Sequence, residues 1–267
     1  MMHVVFLALT LVLAALPARA WEPDGLEVDV ELVLAVDVSR SITPNEMEIQ
    51  RRGYAEAITS PEVMEAIRKG MLARVAVTYI EWAGSHTQRT VVEWTLIEDA
   101  ATARAFADAL TSGLDFAMRR TSISGALLAG AEAFEDNGFS GLRRVIDISG
   151  DGPNNQGRPV LAARDSVLAR GIVVNGLPLM TREGMGSRWH LEDLDIYYRD
   201  CVIGGPGAFV IPVTDWDQFA EAVRRKLVLE LAGRTPRPVP RLHRADGYDC
   251  MIGEKMWQRN MQDWGTP

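Results

Sequence analysis

The chain has 267 residues and a formal net charge of −8 at pH 7, with 28 basic and 36 acidic side chains. Its apolar share of 47% is ordinary for a globular core, and its length suits one large domain or one domain with appendages. The negative balance disfavours binding to nucleic acid or to anionic lipid, because such a surface repels both.

Residues 1–20 have the pattern of a secretory signal peptide. Val4 to Leu16 form an apolar stretch, and Ala18-Arg19-Ala20 matches the small-x-small pattern at which signal peptides are cleaved. A membrane anchor is the alternative, but the apolar stretch is shorter than the roughly 20 residues that span a bilayer. We therefore predict cleavage after Ala20, export, and no membrane span in the mature chain.

The first core element is the unbroken apolar run from Leu32 to Val36, which is typical of a central strand buried on both faces. Asp37, Ser39 and Ser41 follow it directly, and open α/β sheets bind ligands outside the carboxyl ends of their strands. These hard oxygen donors alternate along the chain and suit Mg²⁺ or Mn²⁺ rather than Zn²⁺. On this segment alone, a turn that only caps the next helix is an equal alternative.

The stretch up to residue 113 predicts three helices and a hairpin. Thr43-Pro44-Asn45-Glu46 has the form of a capping box with proline at the first helical position, which favours a helix from Pro44 to Thr59. The other predicted elements are a helix over 61–69, a β-hairpin at the sheet edge made of 74–82 and 87–96, and a helix from 100 to about 113.

Two further polar turns follow. One contains Thr121 and leads into a small-residue helix over 125–134; the other follows a strand over 142–149 and contains Asp151 between two glycines, most often only a turn former. In the long irregular segment 178–207, Trp189, His190, Tyr197 and Tyr198 could line a recognition surface. The remaining predicted elements are a helix over 159–170, strands over 172–177 and 208–213, and a helix opened by a capping box at 214–217 and ended by Gly233.

The C-terminal residues 234–267 differ in composition and cannot form a core of their own. Export favours a disulfide between Cys201 and Cys250, because exported proteins seldom keep unpaired thiols. Two buried free thiols are the alternative. The disulfide would attach the tail to the domain.

The order of strands and helices predicts an α/β fold with a Rossmann-like, doubly wound, mostly parallel sheet. One antiparallel strand should lie at its edge and helices should cover both faces. The three polar turns should then meet at one edge of the sheet. We divide the chain into a signal peptide (1–20), an N-terminal lead (21–29), the domain (30–233) and the tail (234–267).

The polar turns, in this order, resemble the motifs of a von Willebrand factor A (vWA) domain over about residues 30–233. The motifs are Asp37-x-Ser39-x-Ser41, Thr121 in TSISGAL, and Asp151 in SGDGPNN. The segments VIDISGDGPNN and CVIGGPGAFV also resemble an uncharacterised group of exported bacterial proteins with this fold. That resemblance implies a periplasmic or secreted protein.

The vWA resemblance implies a metal-ion-dependent adhesion site that holds Mg²⁺ or Mn²⁺. Ser39 and Ser41 would bind the cation directly, Thr121 directly or through water, and Asp37 and Asp151 largely through water. The cation would in turn bind an acidic side chain of a protein partner. The function predicted in this way is that of a binding module and not of an enzyme.

Two alternatives for the site stay open. One is a metal-dependent hydrolase or phosphatase, although the chain has no GxSxG motif, and His86, His190 and His243 have no evident Ser or Cys partner. The other is a purely structural metal that only ties the loops together.

Asp147 departs from the vWA resemblance, since the family usually has an aliphatic residue at this place in the strand. An unpaired buried carboxylate is costly. We expect an ion pair with Arg143 or Arg144, with a hydrogen bond behind the metal turn as the alternative.

Overall fold

The computed structural model describes residues 25–112, 118–181, 190–236 and 247–265. The predicted signal peptide lies outside the described residues. The strands are β1 (Leu26–Val28), β2 (Glu31–Asp37), β3 (Val75–Trp82), β4 (Gln88–Ile97), β5 (Phe139–Gly141), β6 (Arg144–Gly150) and β7 (Ile172–Pro178). The helices are α1 (Pro44–Ile58), α2 (Pro61–Arg68), α3 (Ala100–Thr111), α4 (Ile123–Glu132), α5 (Val160–Leu168), α6 (Leu194–Tyr197), α7 (Phe219–Leu231) and α8 (Ile252–Gly265).

The central sheet has the strand order β4-β3-β2-β6-β7. β2 pairs in parallel with β3 and β6, and β6 pairs in parallel with β7, whereas β4 runs antiparallel to β3 at the edge. This arrangement confirms the predicted fold class and the hairpin at the edge. The short strands β1 and β5 form a separate parallel pair that the sequence did not indicate.

Every residue of β2 is buried, as the apolar run indicated. Leu32, Leu34 and Val36 pack in one hydrophobic cluster with residues of α1, α2, α3 and α7. Val33 and Ala35 pack in the other cluster with residues of α4 and α5. The sheet is therefore covered by helices on both sides, which explains why its central strand has no polar alternation.

The predicted strand over 208–213 is wrong as a regular strand. Its residues form no regular ladder; isolated bridges join Val210 to Gly176 of β7 and Val213 to Leu179, the residue after β7. Pro178 lies between these bridges on β7, and a proline has no N–H to donate, so the ladder is interrupted there. The capping box predicted at 214–217 is also wrong, because Asp215 only starts a 3₁₀ turn and α7 begins without a side-chain cap.

Of the residues predicted to line a recognition surface, Trp189 lies outside the described residues, and the two tyrosines are core residues. Tyr197 and Tyr198 are both fully buried, in a segment where α6 continues into a π-helical turn over Tyr198–Val202. Their rings pack edge-on to each other. The prediction that these tyrosines line a recognition surface is therefore wrong. The apolar bodies of their rings fill the space beside β7.

Asp147 has a different partner from the predicted one. Its carboxylate is fully buried, and the ammonium of Lys226 on α7 lies 2.5 Å from its Oδ1. The same ammonium lies 2.5 Å from Oε1 of Glu230, which also accepts a bond of 2.9 Å from the amide of Asn175. The ion pair expected with Arg143 or Arg144 is wrong, because these guanidinium groups donate to backbone carbonyls.

This buried triad of Asp147, Lys226 and Glu230 predicts a pH-dependent stability. Burial, followed by the charge of Glu230, raises the pKa of Asp147 to about 7. The folded state therefore holds the proton of Asp147 more tightly than the unfolded chain does, because an Asp in the unfolded chain has a pKa of about 3.9. Protonation of Asp147 thus stabilises the fold fully below about pH 4, and this stabilisation is lost as the pH rises through about 7.

As the pH rises over that window, we expect the free energy of unfolding of the wild type, relative to that of Asp147→Asn, to fall by up to about 1.4 kcal/mol per pH unit. Urea denaturation of both proteins at pH 5 and pH 7 measures it. A difference in unfolding free energy that is independent of pH would contradict the prediction.

Candidate metal centre

Three loops meet at one edge of the central sheet. The first follows β2 and carries Ser39 and Ser41, the second precedes α4 and carries Thr121, and the third follows β6 and begins with Asp151. Asp37 is the last residue of β2, and Asp151 directly follows β6, the parallel neighbour of β2. Because parallel strands end at the same edge, the two carboxylates lie in adjacent loops. The backbone of Met118 bridges to Ser39 and donates to the carbonyl of Val38 at 3.1 Å, which brings the segment before α4 alongside the first loop.

Four of the five residues predicted for the metal site form one hydrogen-bonded chain. The hydroxyl of Ser41 donates to Oδ1 of Asp151 at 2.9 Å, and the hydroxyl oxygens of Ser39 and Ser41 are 3.1 Å apart. The backbone N–H of Ser39 donates to Oδ1 of Asp37 at 2.7 Å. Carboxylates and hydroxyls from two loops thus lie within hydrogen-bonding distance of one another.

Thr121, the fifth predicted residue, is buried in the second loop and is tied to the third. Its N–H donates to Oδ1 of Asn155 at 3.1 Å, and the N–H of Asn155 donates to the carbonyl of Thr121 at 2.9 Å. The reciprocal pair fixes the loop of Thr121 against the loop that begins with Asp151.

The electrostatics of the site favour a bound cation. Asp37 is fully buried, and its Oδ2 has no hydrogen-bond partner among the described residues. Burial, with the charge of Asp151 next, raises the pKa of Asp37 well above its usual value. Asp151 is partly exposed, but its carboxyl group is largely removed from water, and this desolvation raises its pKa to about 6. The hydrogen bond from Ser41 opposes the shift. A cation beside these carboxylates would favour their charged forms.

The donor set fits a hard divalent cation. It consists of carboxylate and hydroxyl oxygens, which Mg²⁺ and Mn²⁺ prefer. Within the described ranges, no group of three or more His, Cys, Asp or Glu side chains is placed to hold a metal ion. That finding agrees with the predicted ligands of this site, because their hydroxyl groups outnumber their carboxylates.

The structure adds residues that the sequence analysis did not single out. A Cβ at Gly150 would lie 2.9 Å from both Oδ2 of Asp37 and the hydroxyl of Tyr198. Any residue larger than glycine would therefore collide with the buried carboxylate of Asp37. The side-chain amide of Gln50 donates to the carbonyl of Asp37 at 3.2 Å. The SGDGPNN motif contains Gly150, but a sequence pattern alone does not distinguish a glycine that forms a turn from one that a close approach requires.

The cysteine pair is confirmed. Cys201 and Cys250 form a disulfide with their Cα atoms 5.5 Å apart. The bond joins the π-helical turn beside β7 to the C-terminal segment that carries α8. No helix among the described residues is long and apolar enough to cross a membrane.

Solved structures with similar folds come from several sources. The pilus adhesin SpaC from Lactobacillus rhamnosus GG has 13% identity, a TM-score of 0.55, and coverage of 76% of this chain and 31% of its own. Proximal thread matrix protein 1 from the mussel byssus, with a zinc-occupied MIDAS motif, has 14% identity, a TM-score of 0.54, and coverage of 79% and 49%. A von Willebrand factor type A protein from Catenulispora acidiphila has 14% identity, a TM-score of 0.51, and coverage of 77% and 43%.

This chain therefore spans less than half the length of each of these proteins, and the likeness shows the fold alone. No curated protein matches the sequence. The family model described as "Protein of unknown function (DUF1194)" matches residues 27–235, which is most of the chain. The chain therefore belongs to the DUF1194 family and has the fold of a von Willebrand factor A domain.

Proposed function

We propose that this protein is an exported vWA-type binding module that holds Mg²⁺ or Mn²⁺ and uses it to bind an acidic side chain of a protein partner. The observation that carries the proposal is the hydrogen-bonded chain from Asp37 through Ser39 and Ser41 to Asp151, together with the buried Oδ2 of Asp37, which has no hydrogen-bond partner among the described residues. Ser39, Ser41 and Thr121 would supply hydroxyl ligands. Asp37 and Asp151 would orient water on the cation and balance its charge.

The expected ligand follows from the charge of this donor set. Hydroxyl ligands are neutral, and the two aspartates act largely through water, so the cation keeps much of its positive charge. When bound, it would supply a Lewis-acidic open position that favours an anionic oxygen. A carboxylate of a partner protein meets that requirement.

Exposed arginines flank all three loops. Arg40 lies between the two serines, Arg119 precedes the loop of Thr121, and Arg158 follows the loop of Asp151. In a chain of net charge −8, this local positive charge favours an acidic partner at the same edge of the sheet.

Two observations support an extracytoplasmic role. The Cys201–Cys250 disulfide suits an oxidising compartment such as the periplasm or the extracellular space. Proteins that share this fold include a pilus adhesin and a byssal thread matrix protein. The fold alone is shared, so adhesion by this chain is part of the proposal.

Thermal unfolding of the chain from Trp21 onward tests the metal site. Saturating Mg²⁺ or Mn²⁺ should raise the midpoint, because a ligand at about 100 times its Kd stabilises the folded state by about 2.7 kcal/mol. Asp37→Ala should lose the shift, and EDTA should abolish it in the wild type. The matched control is Asp108→Ala, an exposed aspartate on α3, which should keep the full shift. A wild type that neither cation stabilises would overturn the proposal.

A further inference from the structure

Helix α8 lies beyond the residues that the family model matches, yet it packs against the third loop of the candidate site. A Cβ at Gly253 would collide with the carbonyl oxygen of Asn154 and would lie 3.0 Å from Cβ of Pro153. One residue later, Oε1 of Glu254 accepts a bond of 2.7 Å from the side-chain amide of Asn154. The first turn of α8 thus rests directly on the loop that begins with Asp151.

Asn154 connects α8 to the rest of the site. Its Oδ1 accepts a bond of 3.0 Å from the N–H of Ser124 at the start of α4, and its own N–H donates to the hydroxyl of Tyr197 at 3.1 Å. The next residue, Asn155, forms the reciprocal pair with Thr121. A displacement of Asn154 would therefore disturb both the second and the third loop.

The second loop has its own contact with α8. The guanidinium of Arg120 lies 3.5 Å from the centre of the Trp257 ring, a cation–π contact. Arg120 has a φ of +77°, a left-handed conformation that a non-glycine residue seldom adopts without support, and it directly precedes Thr121. Gly253 and Trp257 are one helical turn apart, so one face of α8 reaches both loops.

The segment before α8 holds the helix in this place. Cys250 is bonded to Cys201, and the hydroxyl of Tyr248 donates to Oδ1 of Asp193 at 2.8 Å. The ring of Tyr248 also packs edge-on against Tyr197. These contacts attach the start of α8 to the elements beside β7 and leave its inner face against the loops.

We propose that α8 positions the second and third loops of the metal site, with Glu254 and Trp257 as positioning residues, so that undocking α8 weakens divalent-cation binding. The proposal rests on the proposed function. Neither residue would touch the cation. Trp257 acts through Arg120, which directly precedes Thr121, and Glu254 acts through Asn154, in the loop that begins with Asp151. Contacts of this kind behind a metal site typically change metal affinity by roughly 10-fold to 100-fold.

Gly253→Ala is the most direct test, because it separates packing from helix propensity. Alanine favours a helix more than glycine does, so the change should stabilise α8 unless the helix is pressed against Asn154. We expect calorimetric titration of the full chain with Mn²⁺ to give an affinity at least about tenfold weaker than wild type. Gln258→Ala, on the exposed side of α8, is the matched control and should bind Mn²⁺ as the wild type does.

A second pair of variants, both at Trp257, controls for the case in which one substitution simply disrupts the fold. Trp257→Ala should weaken Mn²⁺ binding, and Trp257→Phe, which retains a ring beneath Arg120, should restore most of it. Hydrogen exchange without metal gives a readout separate from affinity: in Gly253→Ala and Trp257→Ala, amides in 118–122 and 151–157 should exchange faster, and those of β2 should not change.

The outcomes separate the two proposals. A wild type that binds no Mn²⁺ overturns the proposed function. A wild type that binds Mn²⁺, together with Gly253→Ala and Trp257→Ala variants that bind equally well and show unchanged loop exchange, overturns the positioning role of α8 and leaves the metal site intact.

Discussion

Replacing Lys226 with methionine is expected to lower the free energy of unfolding by about 3–5 kcal/mol. The ammonium of Lys226 is fully buried between the carboxylates of Asp147 and Glu230. Methionine fills similar space but leaves two acidic groups facing each other without a cation, and burying such groups unpaired is costly. Urea denaturation at pH 7 measures the loss.

The control is Lys255→Met, which removes an exposed lysine paired with Asp249 and should cost less than about 1 kcal/mol. Combining Lys226→Met with Asp147→Asn and Glu230→Gln should recover part of the lost stability, because no buried acidic group then remains without its cation. A loss below about 1 kcal/mol for Lys226→Met alone would show that the triad is solvated in solution.

Removing the disulfide is the second large effect. Cys201 and Cys250 are 49 residues apart, and closing a loop of that length restricts the unfolded chain by roughly 4 kcal/mol in the chain-entropy model. We expect the Cys201→Ala/Cys250→Ala variant to lose about 2–4 kcal/mol of unfolding free energy. Denaturation of this variant beside the oxidised wild type measures the loss.

Reduced wild type provides the internal control, since it should lie close to the double variant. Equal stability of the oxidised wild type and the double variant would contradict the prediction. A mass difference of two hydrogens between the oxidised and reduced chains establishes separately that the bond is present.

Several features of the fold could be predicted because their causes are local in sequence. The buried run of β2 and the hairpin of β3 and β4 follow from residue pattern alone. The capping box at Thr43 and Glu46 starts α1 as predicted, since each side chain bonds the other residue's backbone. The meeting of the three loops at a single edge follows from the predicted parallel sheet, because parallel strands bring their carboxyl-end loops together.

Other features depend on which distant elements touch, and no local pattern carries that information. Asp147 pairs with Lys226 only because α7 packs over β6, so residue spacing favoured the nearby arginines instead. The interrupted strand after residue 207 depends on Pro178 in the neighbouring strand, and the role of Gly150 depends on the side chains of Asp37 and Tyr198. In each case a residue's surroundings come from another part of the chain.

The sequence by itself determined the α/β class, most of the core strands and helices, and the turns that carry the five predicted metal ligands, and it favoured the disulfide between its two cysteines. Only the tertiary structure decided what surrounds those loops: the buried triad on one face of the sheet and α8 beside the site. The physical reason is that periodicity and capping act within a few residues, whereas burial of charge and close packing arise only when distant segments meet.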